Sequence, residues 1–136
     1  MANTSLNTLF HCVYALHYHL VIVTKYRNKA LTPGMRASFS EQAGERCEAW
    51  GGELLECNGE ADHVHLLFTL PPTVALSAFV NALKTGTSRR LRKEFAEHLR
   101  RFYRKPVLWS RSYCVISSGG APLDLLKTYI QNQGKD

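Results

Sequence analysis

Two pairs of histidines are separated by a single residue, His17 with His19 and His63 with His65. If each pair lies on a β-strand, its two imidazoles point to the same face and can bind one divalent metal ion. A strand histidine often only packs or completes a hydrogen-bond network, and spacing alone does not choose between the pairs. Asp62, which directly precedes the second pair, adds an acidic neighbour and mildly favours His63 and His65 as the metal site.

The end of the chain supplies a second group of polar side chains. Tyr129 and Gln133 are four residues apart, so both lie on one face if the segment is helical. An activated tyrosine can act as a covalent nucleophile. A glutamine offers a neutral oxygen that a hard cation such as magnesium accepts. Because a lone tyrosine usually only packs, a catalytic role for Tyr129 depends on its context.

Charge is concentrated in one part of the chain. The net charge is +6, from 17 Lys and Arg against 11 Asp and Glu. Residues 84–111 hold ten basic and two acidic residues, a net of +8, whereas the remainder holds seven basic and nine acidic residues, a net of −2. A stripe of this strength favours a phosphate backbone as partner over an ordinary solvated helix.

Composition excludes several other classes of protein. With 136 residues, 45% hydrophobic and 21% charged, the chain is expected to form one globular domain. The chain contains no stretch of about 18 apolar residues that could span a membrane. The N-terminus lacks the basic and apolar regions of a secretory signal. The four cysteines form no C-x-x-C pair, which indicates reduced thiols in a cytoplasmic protein.

Hydrophobic periodicity and Gly/Pro punctuation predict the order strand, helix, strand, strand, helix, strand, helix. Asn58-Gly59 is predicted to turn the chain between the second and third strands, and the long helix is predicted to break near Gly86. This order indicates an α+β fold, a ferredoxin-like βαββαβ antiparallel sheet with helices on one face, plus a C-terminal helix. The other sheet face would be free for a partner. Predicted strands cover 10–25, 53–57, 62–70 and 107–117, and predicted helices cover 35–50, 74–102 and 122–133.

Four collinear segments resemble one protein family. Residues 62–67, DHVHLL, resemble the histidine–hydrophobe–histidine (HUH) motif of the single-tyrosine transposases of the IS200/IS605 insertion-sequence family, the TnpA type. Residues 17–27 resemble the family's first strand and the loop that follows it. Residues 84–91, KTGTSRRL, resemble its K-x-x-T-S-R-x-L helix, and residues 129–133, YIQNQ, resemble its terminal Y-I-x-x-Q helix. The resemblance extends from about residue 11 to residue 133.

The resemblance implies a reaction and a role for each catalytic residue. Tyr129 would attack a phosphodiester in single-stranded DNA, form a 5′-phosphotyrosine intermediate and release a 3′ hydroxyl. His63, His65 and Gln133 would bind the magnesium or manganese ion that polarises the scissile phosphate. A later attack by a 3′ hydroxyl would rejoin the strand without a nucleotide cofactor. Whereas spacing left the two histidine pairs undecided, the resemblance implies that residues 17–19 belong to a structural strand.

The resemblance also implies partners. The whole chain, 1–136, would be one HUH transposase domain in which 118–136 form a hinge, at Gly119-Gly120, and the terminal catalytic helix. A homodimer would share its active sites, with the tyrosine helix of one chain serving the histidines of the other. The DNA would carry hairpins near the element ends. The basic residues expected to hold its phosphates are Arg89, Arg90, Arg92 and Lys93.

Other functions stay open on the sequence. A domesticated relative would cut hairpin repeats without moving its own element. A non-catalytic nucleic-acid-binding regulator would use the basic helix alone, and Tyr129→Phe would leave all its activity unchanged. A metal-dependent hydrolase with a water nucleophile would cut DNA without a protein–DNA adduct.

Overall fold

The computed structural model describes residues 7–9, 12–14, 16–117 and 124–132. Two short strands come first and are followed by the main αβ body and a terminal helix. The strands are β1 (Asn7–Leu9), β2 (Cys12–Tyr14), β3 (His17–Thr24), β4 (Glu53–Glu60), β5 (His63–Thr69) and β6 (Trp109–Ser117). The helices are α1 (Pro33–Ala49), α2 (Leu76–Glu94), α3 (Ala96–Leu99) and α4 (Asp124–Asn132).

The main sheet has four strands in the order β4-β5-β3-β6, and every neighbouring pair is antiparallel. With α1 between β3 and β4 and α2 between β5 and β6, this is the predicted ferredoxin-like arrangement. The single strand predicted over 10–25 is wrong in detail, because β1 and β2 pair with each other as a separate two-stranded sheet and β3 begins only at His17. The hinge predicted at Gly119-Gly120 lies outside the described residues.

The turn predicted at Asn58-Gly59 is also wrong. Both residues lie inside β4, where Asn58 pairs with His65 and Gly59 pairs with Val64, and the chain reverses after Glu60. A Cβ atom on Gly59 would lie 2.5 Å from the carbonyl oxygen of His63. The glycine is therefore needed where two strands approach closely, a role that local sequence does not separate from a turn.

The long second helix breaks at a different residue from the predicted one. Helix α2 continues through Gly86 and ends at Glu94, and α3 begins after Phe95. A Cβ atom on Gly86 would collide with the guanidinium of Arg46 on α1. Gly86 thus leaves room for the guanidinium of Arg46 against α2 and does not interrupt the helix.

The core lies between one sheet face and helices α1 and α2. Leu20, Ile22, Leu66 and Phe68 point to this side and are fully buried. The opposite face is partly covered by α4, so it is not entirely free, contrary to the prediction. A small cluster on that face joins the two strands β3 and β6 to α4; it consists of Val21, Val23, Cys114, Ile116, Tyr129 and Ile130.

Two expectations about the class of protein can be checked within the described part of the chain. No helix there is long and apolar enough to cross a membrane. Three of the four cysteines, Cys47, Cys57 and Cys114, are free thiols.

Candidate active site

The histidine pair on β5 lies on the sheet face that α4 partly covers. Strand periodicity sends Val64 into the core, where it is 1% exposed, and places His63 and His65 together on the other side. Nδ1 of His63 donates a hydrogen bond to Oδ1 of Asp62 at 2.9 Å. Because Nδ1 carries the proton in this bond, the lone pair of His63 is on Nε2, where it could bind a metal ion. Metal-binding histidines in other proteins commonly donate their second ring N–H to a carboxylate in the same way.

Asp62 is held in turn by Arg27, which follows the end of β3. Nε of Arg27 donates to Oδ2 of Asp62 at 2.9 Å, and its Nη1 donates to the carbonyl oxygen of Gln131 in α4 at 3.1 Å. Burial raises the pKa of Asp62, but hydrogen bonds from His63 and Arg27 outweigh this effect and leave the pKa below its usual value. One guanidinium therefore connects the terminal helix to an ionised carboxylate and, through it, to the imidazole of His63.

His19 lies beside His65, although the sequence assigned it to a structural strand only. The ring nitrogens His19 Nδ1 and His65 Nε2 are 3.1 Å apart, and the ring centroids are 5.2 Å apart. Burial lowers the pKa of both imidazoles, while the carboxylate of Glu56 raises it to a smaller degree. Both rings are therefore expected to be neutral near pH 7, which is the protonation state that binds a metal ion.

The metal ligands predicted from the sequence are only partly within the described part of the chain. Among the described residues, no three His, Cys, Asp or Glu side chains are grouped so that they could hold a metal ion. Gln133, the third ligand predicted from the sequence, lies outside the described residues.

Tyr129 of α4 lies on the same sheet face as the histidine pair. Its hydroxyl is hydrogen-bonded at 2.9 Å to Oγ of Ser112 on β6, and its ring packs on β3. Val23 of β3 pairs with His63 on one side, and β6 flanks β3 on the other. Because neighbouring strands are about 4.8 Å apart, the part of β6 that binds Tyr129 lies roughly 10 Å across the sheet from His63.

The four predicted phosphate-binding residues on α2 have different surroundings. Arg90 forms ion pairs with Glu94 and Glu45, at 3.1 Å and 3.6 Å. Nε of Arg92 donates to Ser88 at 3.1 Å, and Arg92 lines a surface groove. The remaining two, Arg89 and Lys93, are exposed. The four residues therefore differ in how their charges are partnered, and their role in binding phosphates stays a prediction.

The motif at residues 84–91 has a structural role that the sequence did not indicate. Nε1 of Trp109 donates to Oγ1 of Thr87 at 3.0 Å, and Thr87 donates to the carbonyl oxygen of Leu83 at 2.7 Å. Nζ of Lys84 donates to the carbonyl oxygens of Ser110 and Arg111 at 2.7 and 2.9 Å. These bonds attach the start of β6 to α2, so this motif positions the strand that carries Ser112.

The sequence of this chain is similar to that of known proteins. The family model described as "Transposase IS200 like" matches residues 12–133. The transposase of insertion sequence IS200 from Salmonella typhimurium is 31% identical over 126 residues, which cover 93% of this chain and 82% of the relative.

Two solved structures share the fold. A candidate transposase of Deinococcus radiodurans R1 is similar with a TM-score of 0.85 and 29% identity, over 96% of this chain and 99% of that one. A REP-associated tyrosine transposase bound to a REP hairpin has a TM-score of 0.54 and 9% identity, over 91% and 68% of the two chains. At that identity, the second structure shows the shared fold alone.

Proposed function

The chain belongs to the IS200-like transposase family, and on this premise we propose that it cleaves and rejoins single-stranded DNA at insertion-sequence ends. The observation that carries the proposal is the common location of two chemical groups. Tyr129 and the His63–His65 pair lie on one sheet face, and Arg27 links α4 to the histidine side of that face.

The proposed reaction is a transesterification at tyrosine. The phenol oxygen of Tyr129 forms a bond to phosphorus as the bond from phosphorus to the 3′ oxygen breaks. The phenol loses its proton, and the departing 3′ oxygen takes one up to become a 3′ hydroxyl. Since one phosphodiester replaces another, a 3′ hydroxyl can reverse the attack and join a different end.

The residues on this face suit a divalent cation. His63, His65 and Gln133 would hold Mg²⁺ or Mn²⁺, and the bound ion would polarise the scissile phosphate. The Asp62 bond to Nδ1 of His63 fits this use, as does the lowered pKa of His65. The contact of Nε2 of His65 with His19 must open if that nitrogen is to bind the ion.

We further propose a homodimer in which the terminal helices are exchanged, so that Tyr129 of one chain serves the histidines of the other. In the described part of the chain, α4 contacts its own sheet through the small cluster, the Arg27 bond to Gln131 and the Tyr129 bond to Ser112, and an exchanged helix would make the same contacts on the partner chain. The proposed substrate carries DNA hairpins at its ends, and a transposase of the same fold has been solved with a hairpin bound.

A denaturing gel tests the reaction. Labelled single-stranded DNA from the flanking element end is incubated with the protein, with Mg²⁺ or Mn²⁺ and with chelator. We expect a metal-dependent covalent adduct that Tyr129→Phe abolishes and the control Tyr113→Phe retains. Cleavage without an adduct would instead indicate a hydrolase, and binding without cleavage on a verified cognate end would indicate a regulator.

Mixing two inactive variants tests the exchange of helices. Tyr129→Phe keeps the histidines, and His63→Ala keeps the tyrosine. If the helices are exchanged, a mixed dimer contains one complete site and forms an adduct on the His63→Ala chain. If each tyrosine serves its own chain, the mixture stays as inactive as either variant alone.

A further inference from the structure

A basic groove runs around the segment that leads from α3 to β6. Three adjoining cavities meet at Val107, and the largest has a volume of about 520 Å³, within the range of sites that hold small organic ligands. Among the described side chains that line the three cavities, none is acidic. The cationic residues that line the groove, apart from the tethered Lys84, are Lys25, Arg92, Arg100, Arg104, Lys105 and Arg111.

This groove differs from the solvent face of α2 in how its charge is balanced. On α2, Arg90 is paired with Glu94 of the same helix and with Glu45 of α1. Arg104 and Lys105 are exposed on the groove and line two of its cavities. A row of uncompensated cations attracts a phosphate backbone more strongly than paired ones do.

An aromatic ring stands at one end of the groove. Tyr26 is 57% exposed and is the one exposed large hydrophobic side chain in the described part of the chain. Tyr26 and Arg27 have φ angles of 59° and 55°, a left-handed conformation that costs energy for residues other than glycine. Strain of this kind persists where the surrounding structure imposes it, and it is concentrated at functional sites.

The neighbours of Tyr26 show how the conformation is imposed. The backbone N–H of Lys25 donates to the carbonyl oxygen of Leu108 at 2.7 Å, and the Tyr103 hydroxyl donates to the carbonyl oxygen of Lys25 at 2.8 Å. Nζ of Lys25 lies 5.3 Å from the centre of the Tyr26 ring. The ring is thus presented to solvent on a fixed backbone and beside a cation, as in sites that stack nucleobases.

We propose that Tyr26 and the basic groove form a binding site for an unpaired stretch of single-stranded DNA beside the cleavage site. A base stacks on the Tyr26 ring, and the adjoining phosphates lie along Lys25, Arg104, Lys105 and Arg111. This inference rests on the proposed function and adds to it the place where the uncut strand is held.

The position of Tyr26 supports that assignment. It follows the end of β3, where Val23 pairs with His63, and its neighbour Arg27 binds Asp62. A strand that leaves the histidine face at this end of the sheet passes Tyr26 before it enters the groove.

The test measures equilibrium binding in EDTA, where no metal-dependent cleavage occurs. Fluorescein-labelled dT15 and a 15-base-pair duplex are titrated by anisotropy over a range of salt concentrations. Tyr26→Asn removes the ring with a residue that tolerates the left-handed conformation, and Tyr26→Phe keeps the ring. Stacking predicts that Tyr26→Asn binds dT15 about 5- to 150-fold more weakly and that Tyr26→Phe binds within about twofold of wild type.

Two double variants, each of which loses two positive charges, test where the DNA phosphates bind. The double variant Arg104→Gln/Lys105→Gln is compared with Arg90→Gln/Lys93→Gln, which loses the same charge from α2. For dT15, the groove variant should lower the slope of log affinity against log salt by about 1.4, or about 0.7 per phosphate contact. The α2 variant removes charges that are expected from the sequence to hold the phosphates of hairpin DNA, and on dT15, which has no hairpin, it should change the slope less than the groove variant does.

Any of three results would overturn the inference. The first is wild-type affinity of Tyr26→Asn for dT15, the second is an equal loss of its affinity for the duplex, and the third is a larger slope change in the α2 variant. An adduct gel on the same proteins separates this inference from the proposed function. If adducts form normally and the variants bind like wild type, the groove inference is wrong and the proposed function is unaffected. If no adduct forms but the variants show the expected binding changes, the tyrosine chemistry is wrong and the groove inference is unaffected.

Discussion

Asp62 is expected to control metal affinity through the orientation of His63. The substitution Asp62→Asn keeps the shape of the side chain and removes its charge. An amide holds Nδ1–H of His63 less strongly than a carboxylate does, and it no longer pairs with Arg27. The imidazole should therefore lose both basicity at Nε2 and a fixed ring orientation.

The size of the effect follows from the exposure of these groups. The side chain of Asp62 is 13% exposed and that of Arg27 is 31% exposed, so solvent screens their ion pair only in part, and weakening its hydrogen bonds should cost on the order of 1–3 kcal/mol of folding stability. Losing a residue that is hydrogen-bonded to a metal ligand typically lowers metal affinity 10- to 100-fold, which corresponds to about 1.4–2.7 kcal/mol of binding free energy. The variant should thus stay folded and bind metal poorly.

Titration with Mn²⁺, followed by the electron paramagnetic resonance signal of the free ion, measures that affinity. Glu60→Gln is the matched control, because Glu60 is an exposed carboxylate on β4 that pairs in register with His63. It removes the same charge near the site without removing the bond to Nδ1. His63→Ala supplies the reference for a site with a missing ligand.

Either of two results would refute this argument. If Asp62→Asn binds Mn²⁺ within about threefold of wild type, the carboxylate does not orient the ligand. If Glu60→Gln weakens binding as much as Asp62→Asn, the effect is one of general charge near the site, and the hydrogen bond has no special part in it.

Three further predictions concern stability and reactivity. Thr87→Val should lower the free energy of unfolding by about 1–3 kcal/mol in urea titrations because it leaves the buried Nε1 of Trp109 without its acceptor, and Thr87→Ser should cost less than about 1 kcal/mol. Burial raises the pKa of Tyr103 to about 12, so its contribution to stability is present below the unfolded value of about 10 and is lost between pH 10 and 12. Alkaline melting curves of Tyr103→Phe should show a smaller decline, because the buried thiol of Cys47 still contributes, and an identical decline in the variant would disprove its origin. Burial raises the pKa of Cys47 to about 12, so iodoacetamide at pH 8 should modify this thiol only after urea unfolding, as mass spectrometry of the digested protein would show.

The features that could be predicted correctly from the sequence are those that depend on neighbours along the chain. Alternation within one strand places Val64 in the core and both flanking histidines on the other face, and this needs no knowledge of any other strand. The helix predicted over 35–50 begins two residues earlier, at Pro33, and this start is also local because Thr32 accepts a hydrogen bond from the backbone N–H of Met35. The order of elements and the four motifs likewise led to the ferredoxin-like sheet and to the family.

The features that could not be predicted from the sequence are contacts between residues that are far apart along the chain. Local sequence cannot separate a glycine in a turn from one that a neighbouring strand approaches, so Gly59 was assigned wrongly. His19 contacts His65 because the register between β3 and β5 brings together two residues that are 46 positions apart. The bond of Arg27 to α4 spans 104 positions and depends on where α4 packs. Such contacts are set by strand register and helix packing, and these follow from burial over the whole chain.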